Sequence, residues 1–282
     1  MFKKSPLKAT RLAKRKRKIL FLKIGGLVLL ILILCAVAVG FTHLGILRIQ
    51  NIAVQGNYSV GTSAVQDAVV KDLVHPYLGI FSKYNRFIYP KDVIHADLLT
   101  QFPRIQSLSL SMQGGHTLVA AVIERTPSYT WCSGLPDDTS SRSCYFMDDH
   151  GFVFSDAPIF SGHAYFAYYG MLGDSPISKT YLDAAHFDSI NQLKKALEAQ
   201  NFHPYALVAH DDGEYDLYIN QGTKIIFSND EEISSVIANA MTLIHNSDLF
   251  KKESGTLEYI DLRYGDKIYY KYSGDNSKES SI

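Results

Sequence analysis

Residues 107 to 127 read SLSLSMQGGHTLVAAVIERTP. Leu108, Leu110 and Met112 alternate with Ser107, Ser109 and Ser111, the period of two that puts one row of side chains on each face of a strand. Gly114 and Gly115 then turn the chain into TLVAAVIE, a second strand, so the stretch reads as a β-hairpin. Pro127 closes it. The sequence has a different texture on either side of this proline, and that difference divides it into two modules.

Upstream, Ile52 and Val54 alternate with small or polar neighbours, and Gly56-Asn57 supplies a turn. Ser63 and Gln66 have the spacing of a capping box, with Val65, Ala68, Val69 and Leu73 following at helical intervals. Pro90 opens a second helix through Leu99, and Pro103 stops it. The order over residues 48 to 125 is therefore strand, helix, helix, strand, strand.

Downstream the chain offers short strands: SYTWC, CYFMD, GFVFS, AYFAYYG, YALVAH, EYDLYIN, TKIIFS and, at 256 to 271, TLEYIDLRYGDKIYYK. Two helices interrupt them. One carries Phe187, Ile190, Leu193 and Leu197. The other carries Ile233, Val236, Ile237, Ala240, Met241 and Ile244 behind Ser228 and Glu231 in capping-box spacing. The expectation is an α+β chain whose second module, 126 to 272, is a mixed, mostly antiparallel sheet with packed helices. The end, SGDNSKESSI at 273 to 282, reads as a disordered tail.

The first 23 residues hold ten Lys or Arg and no acid, and Ile24 to Leu47 then runs without a formal charge. A helix of that length, about 36 Å, spans a hydrocarbon core of about 30 Å. Residues 24 to 47 are expected to cross a membrane. The alternative is a cleaved leader, for which AVAVGFTHLG offers a small-x-small site, although leader apolar regions are shorter. The cationic side predicts a cytoplasmic N-terminus and an extracytoplasmic bulk, with anionic lipid rather than nucleic acid as the neighbour of the tail. Beyond residue 23 the chain has 18 basic against 28 acidic residues, so the net charge of zero hides a split. Ala36 and Gly40 form a small-xxx-small pair of the kind that packs membrane helices, though such pairs are frequent by chance.

Cys35 lies in the apolar run and reads as filler. Cys132 and Cys144 flank a turn-rich loop outside the membrane, where a disulfide is expected; C-x11-C is not zinc spacing. No H-E-x-x-H or G-x-S-x-G is present, and SPLK at 5 to 8, an S-x-x-K match, lies in the basic tail. DDH at 148 to 150 and HDDGE at 210 to 214 place carboxylates near histidine, but both sit between strands, where Asp and Gly make turns. His163, His203 and His245 are isolated. No catalytic, cofactor or metal site is expected.

In this order, a basic tail, one membrane helix, NIAVQGNYSVGTSAV, FPRIQSLSLSMQ, IERTPSYTW, CYFMDDHGFVF and YIDLRYGDKIYYK resemble the bacterial cell-division proteins FtsQ/DivIB over nearly the whole chain. The resemblance implies a POTRA domain at 48 to 125 and a β domain at 126 to 272. It implies a non-enzymatic, single-pass scaffold of the division septum that recruits the bitopic proteins FtsB and FtsL, or DivIC. An envelope protein for secretion or assembly is the alternative, but an outer-membrane barrel would need many more strands.

The last strands are where the resemblance puts partner binding. An unpaired sheet edge accepts an added strand through its backbone. Ile260 and Leu262 read as core, sharing a face with Tyr264. Beyond the bend at Gly265 and Asp266, Lys267, Tyr269 and Lys271 share another, and Arg263 offers a planar fork for a partner carboxylate. The expected partner-binding residues are Arg263, Tyr264, Lys267, Tyr269 and Lys271.

Overall fold

In the computed structural model an N-terminal helix, α1, runs unbroken from Leu7 to Thr42. The structure describes residues 7–136, 138, 142–160, 162–219, 222–246, 256–265, 267–273 and 280–281. Lys14 to Thr42 is long and apolar enough to cross a membrane. From Ile24 to Thr42 the helix rises about 28 Å, close to the thickness of a hydrocarbon core. It ends five residues before the expected Leu47, and Gly45–Leu47 form a single 3-10 turn instead. The last turn is closed by the Thr42 hydroxyl, which donates to the carbonyl of Val39 at 2.8 Å.

The chain divides into two compact units, residues 1–101 with 107–123, and 102–106 with 124–282. In the first, β1 (Asn51–Gln55) lies parallel to β3 (Thr117–Glu124), which separates it from β2 (Ile105–Gln113). Helices α2 (Thr62–Val74) and α3 (Lys91–Gln101) connect β1 to β2 and pack together. Val65, Ala68, Val69 and Leu73 of α2 are buried with Ile94 and Leu98 of α3. Those positions carry the helical spacing of the sequence, so the core face of each helix was set locally. Gly56 is required at the end of β1: its φ is +80°, and a Cβ would sit 2.3 Å from the Val122 carbonyl oxygen.

The capping box expected at Ser63 and Gln66 does not form. The N-cap is Gly61, with no side-chain cap, and Gln66 Nε2 donates instead to the Ile52 carbonyl at 2.7 Å. A carbonyl of β1 outcompetes the helix's own first turn for that amide.

Among the described residues the second unit carries one ten-stranded sheet. Its strands are β4 (Tyr129–Cys132), β5 (Cys144–Met147), β6 (Val153–Ala157), β7 (Ala167–Tyr169), β8 (Pro204–Ala209), β9 (Glu214–Ile219), β10 (Thr223–Ser228), β11 (Leu257–Tyr264), β12 (Lys267–Tyr272) and β13 (Ser280–Ser281). The spatial order is β13-β12-β11-β10-β9-β8-β7-β4-β5-β6. Only β4–β7, β7–β8 and β10–β11 are parallel, so the sheet is mixed and mostly antiparallel, as the sequence implied. Parallel neighbours need a crossover. Helices α4 (Ala184–Glu198) and α5 (Ile233–Asn246) supply two of them, between β7 and β8 and between β10 and β11.

Phe187, Ile190, Leu193 and Leu197 of α4 and Val236, Ala240 and Leu243 of α5 bury against the inward rows of the sheet. Asp183 caps α4, accepting from the amides of Ala185 and His186. At α5 the expected Ser228–Glu231 box is absent, because Ser228 ends β10 and its hydroxyl accepts from Asp230 in a turn. Cys132 and Cys144 face each other across β4 and β5 and are joined by a disulfide, Cα to Cα 4.1 Å. Of the segment expected to be a disordered tail, residues 274–279 and 282 lie outside the described residues. Ser273 donates to the Thr256 carbonyl, and Ser280–Ser281 pair with β12.

Candidate partner-binding edge

β11 and β12 form an antiparallel hairpin at one end of the large sheet. Ile260 and Leu262 point into the core, 3% and 0% exposed, which bears out their reading as core residues. On β12, Ile268, Tyr270 and Tyr272 face the same core, so the period of two leaves Lys267, Tyr269 and Lys271 together on the other face. Tyr264 departs from the expected face. The ladder shifts register between Asp261 and Tyr264, and the exposed Tyr264 ring instead meets Tyr269 edge-on with centroids 5.1 Å apart. Asp266 lies outside the described residues, while the Gly265 carbonyl accepts from Asn239 Nδ2 of α5 at 3.0 Å.

Arg263 is not a vacant fork. Its Nε donates to Asp261 Oδ1 at 2.9 Å, its Nη2 pairs with Asp261 Oδ2, and its Nη1 pairs with Glu214. The Asp261 hydrogen bond, and after it that of Glu214, raises the guanidinium pKa against the opposing effect of burial. Asp261 is 5% exposed. A carboxylate so buried needs its charge met, and Arg263 meets it, so the fork expected for a partner is spent inside the chain. Its guanidinium carbon lies 5.7 Å from the Tyr264 ring centroid, which orders that ring.

Lys271 pairs with Glu258 at 3.0 Å in an exposed contact, and Lys267 stays exposed at the start of β12. The outer side of β12 is covered at two positions, Tyr269 opposite Ser281 and Tyr270 opposite Ser280. Beside the hairpin, a cleft of about 680 Å³ opens between Arg263, Tyr264, Glu214 and the start of α5. Sequence reasoning did not find this cleft. Its acidic wall, Asp230, Glu231 and Glu232, comes from the β10–α5 turn, and only the fold brings it beside β11.

The other stretches considered in the sequence have contacts of their own. Asp148, Asp149 and His150 approach closely enough to hold a metal. Asp148 is committed, however: Oδ2 pairs with Arg125, and Oδ1 accepts from the His150 and Phe152 amides at 2.9 and 3.0 Å. HDDGE forms the β8–β9 turn, with Gly213 at φ +86°. His163 stacks on Tyr205 at 4.1 Å, and His245 bonds the Met241 carbonyl of its own helix. No protein-family model matches the chain, and no curated protein matches it.

Proposed function

We propose that the chain is a bitopic scaffold of the FtsQ/DivIB kind, which recruits FtsB/FtsL- or DivIC-type proteins during septum formation by adding a partner strand at β12. The observation that carries this reading is the position of β12: among the described residues only the two-residue β13 lies beyond it, and its Lys267, Tyr269 and Lys271 share one face with Tyr264 against Tyr269. An edge of this kind offers backbone groups for affinity and a cationic, aromatic row for specificity. Supporting the reading further, the first unit has the strand-helix-helix-strand-strand order of a POTRA domain, with β3 between β1 and β2. The basic run before α1 supports a cytoplasmic N-terminus and an extracytoplasmic bulk.

Capture of the full-length partner by the full-length chain tests the proposal. Tyr264→Ala with Tyr269→Ala should weaken binding about thirtyfold, since truncating central aromatic anchors costs about 2 kcal/mol. Both rings are outside the core, so the melting temperature should hardly move. Undiminished capture by the well-folded double variant would reject the β12 edge. A fluorescent fusion that fails to gather at the septum would reject the division role itself.

A further inference from the structure

We infer that the segment from Pro76 to Tyr89 is a membrane-docking loop, which seats its apolar tip in the leaflet that α1 leaves at Thr42. The inference rests on α1 crossing a bilayer, and on three observations that do not involve the β12 edge.

The first is attachment. Asn85 is buried, and its Nδ2 reaches the carbonyls of Phe41 and Thr42, both at 3.4 Å. Both lie in the last turn of the helix, where carbonyls lose their intrahelical partners; that of Phe41 also accepts from the Leu44 amide. The Ser82 amide reaches the Thr42 hydroxyl, His43 Nε2 lies 3.0 Å from the Ile80 carbonyl, and the Arg86 amide donates to the Leu47 carbonyl at 2.9 Å. The loop is therefore tied to the last turn of α1 at several points. If that turn emerges from the hydrocarbon core, the loop lies at headgroup depth.

The second is composition. Leu73 to Lys91 contains no acid, and Lys83 and Arg86 lie among Tyr77, Leu78, Ile80, Phe87 and Ile88. Leu78 is 89% exposed, Phe87 65% and Ile80 50%. Cationic and aromatic side chains lie against each other, Lys83 over Tyr77 at 5.1 Å and Arg86 over Phe87 at 5.2 Å. Apolar and aromatic groups mixed with cations suit the interface of a bilayer that carries anionic headgroups.

The third is conformation. Tyr77 and Phe81 bridge each other, and the turn between them holds Leu78 at φ +51° beside Gly79 at +76°. A left-handed leucine is disfavoured where Gly or Asn would fit readily, and such conformations concentrate at functional positions. Here the disfavoured residue is a large apolar side chain aimed outward at the tip. Burial in acyl chains recovers the free energy that exposure of Leu78 and Phe87 to water costs.

The test uses the full chain in vesicles of phosphatidylethanolamine and phosphatidylglycerol, with an environment-sensitive fluorophore on a single cysteine. Cys35 in α1 is a free native thiol and Cys132–Cys144 is closed, so the unaltered chain labels at α1. Cys35→Ala with Leu78→Cys labels the loop tip. Cys35→Ala with Tyr58→Cys labels the far end of β1, where Tyr58 is 93% exposed. Nitroxide lipids carrying the quencher near the headgroup should remove most of the Leu78 emission and little of the Tyr58 emission. Lipids carrying it deep should quench Cys35. Equal emission at Leu78 and Tyr58 with Cys35 quenched would overturn the loop and leave the membrane helix standing. A blue shift at Leu78 without lipid quenching would mean that protein, a second copy of the chain, covers the tip, and would also overturn it. An unquenched Cys35 would overturn the membrane reading and the loop with it.

Discussion

Asp148 and Lys194 carry charge into the second unit, and they are matched in opposite ways. Asp148, with its side chain 3% exposed, holds Arg125 and two backbone amides, while Arg125 also lies 4.0 Å from the Phe152 ring centroid. Removing one member of a buried pair leaves the other unmet, so Arg125→Ala should cost about 3 kcal/mol or more in urea unfolding. Adding Asp148→Asn should recover part of that loss, since the orphaned charge goes with it. Lys194 is 9% exposed and lies over two rings, Tyr129 at 4.4 Å and Phe166 at 4.9 Å, with the charge of Glu198 only partly offsetting its burial. Burial lowers its pKa, so the charged form opposes folding below the folded-state value, and stability should rise as pH climbs from there toward 10.5. Lys194→Met keeps the stem, removes the cation and should raise the melting temperature. The aspartate's turn was legible from DDH between two strands. Its partner, 23 residues earlier, was not, because no spacing rule links a loop to a charge so far away.

The elements followed their periodicity closely and their caps poorly. Helical spacing found α2, α4 and α5 and their buried faces, because side chains three and four apart share a face whatever surrounds the helix. The caps expected at Ser63 and Ser228 gave way to a carbonyl of β1 and to the end of β10. The cap that does form, Asp183 on α4, carries no such competition. Its carboxylate accepts from the amides of Ala185 and His186, and His186 Nδ1 lies 2.6 Å away. The backbone bond to His186 is the largest influence lowering its pKa. A lowered carboxylate pKa stabilises the fold fully above the unfolded value near 3.8 and loses that contribution as pH falls through the lower folded value. Asp183→Ala should therefore lower the melting temperature at pH 7 by more than in acid below the lowered pKa.

For the whole molecule, the pairing that bears most on the candidate edge lies near the C-terminus. A polar tail rich in Ser reads as disordered on composition, and within it Ser280–Ser281 lie on β12 and occupy part of the edge that a partner would need. Backbone pairing is indifferent to side-chain hydrophobicity, so composition is a poor guide to which segment covers an edge. Ending the chain after Ser273 should free Tyr269 and Tyr270. A partner strand would then bind more tightly, by about five- to thirtyfold if two net hydrogen bonds of roughly 0.5–1 kcal/mol no longer have to be displaced. Titrating the partner against the two chains measures it, and equal affinity would mean the partner approaches elsewhere.

The sequence by itself determined the apolar helix, the two textures joined at Pro127, the mostly antiparallel strands, the Cys132–Cys144 pairing, and the core positions Ile260 and Leu262. Each is a property of neighbours in the chain, or of two cysteines with a loop between them. Tertiary structure alone decided that Arg263 closes on Asp261 and on Glu214, 49 residues away, that Tyr264 turns toward Tyr269, and that Ser280–Ser281 pair with β12. It also brought Asn85 to the last carbonyls of α1. The contacts of Glu214 and Asn85 join segments far apart in sequence, the others near neighbours, and which of them forms depends on competition among all the groups that folding brings within reach.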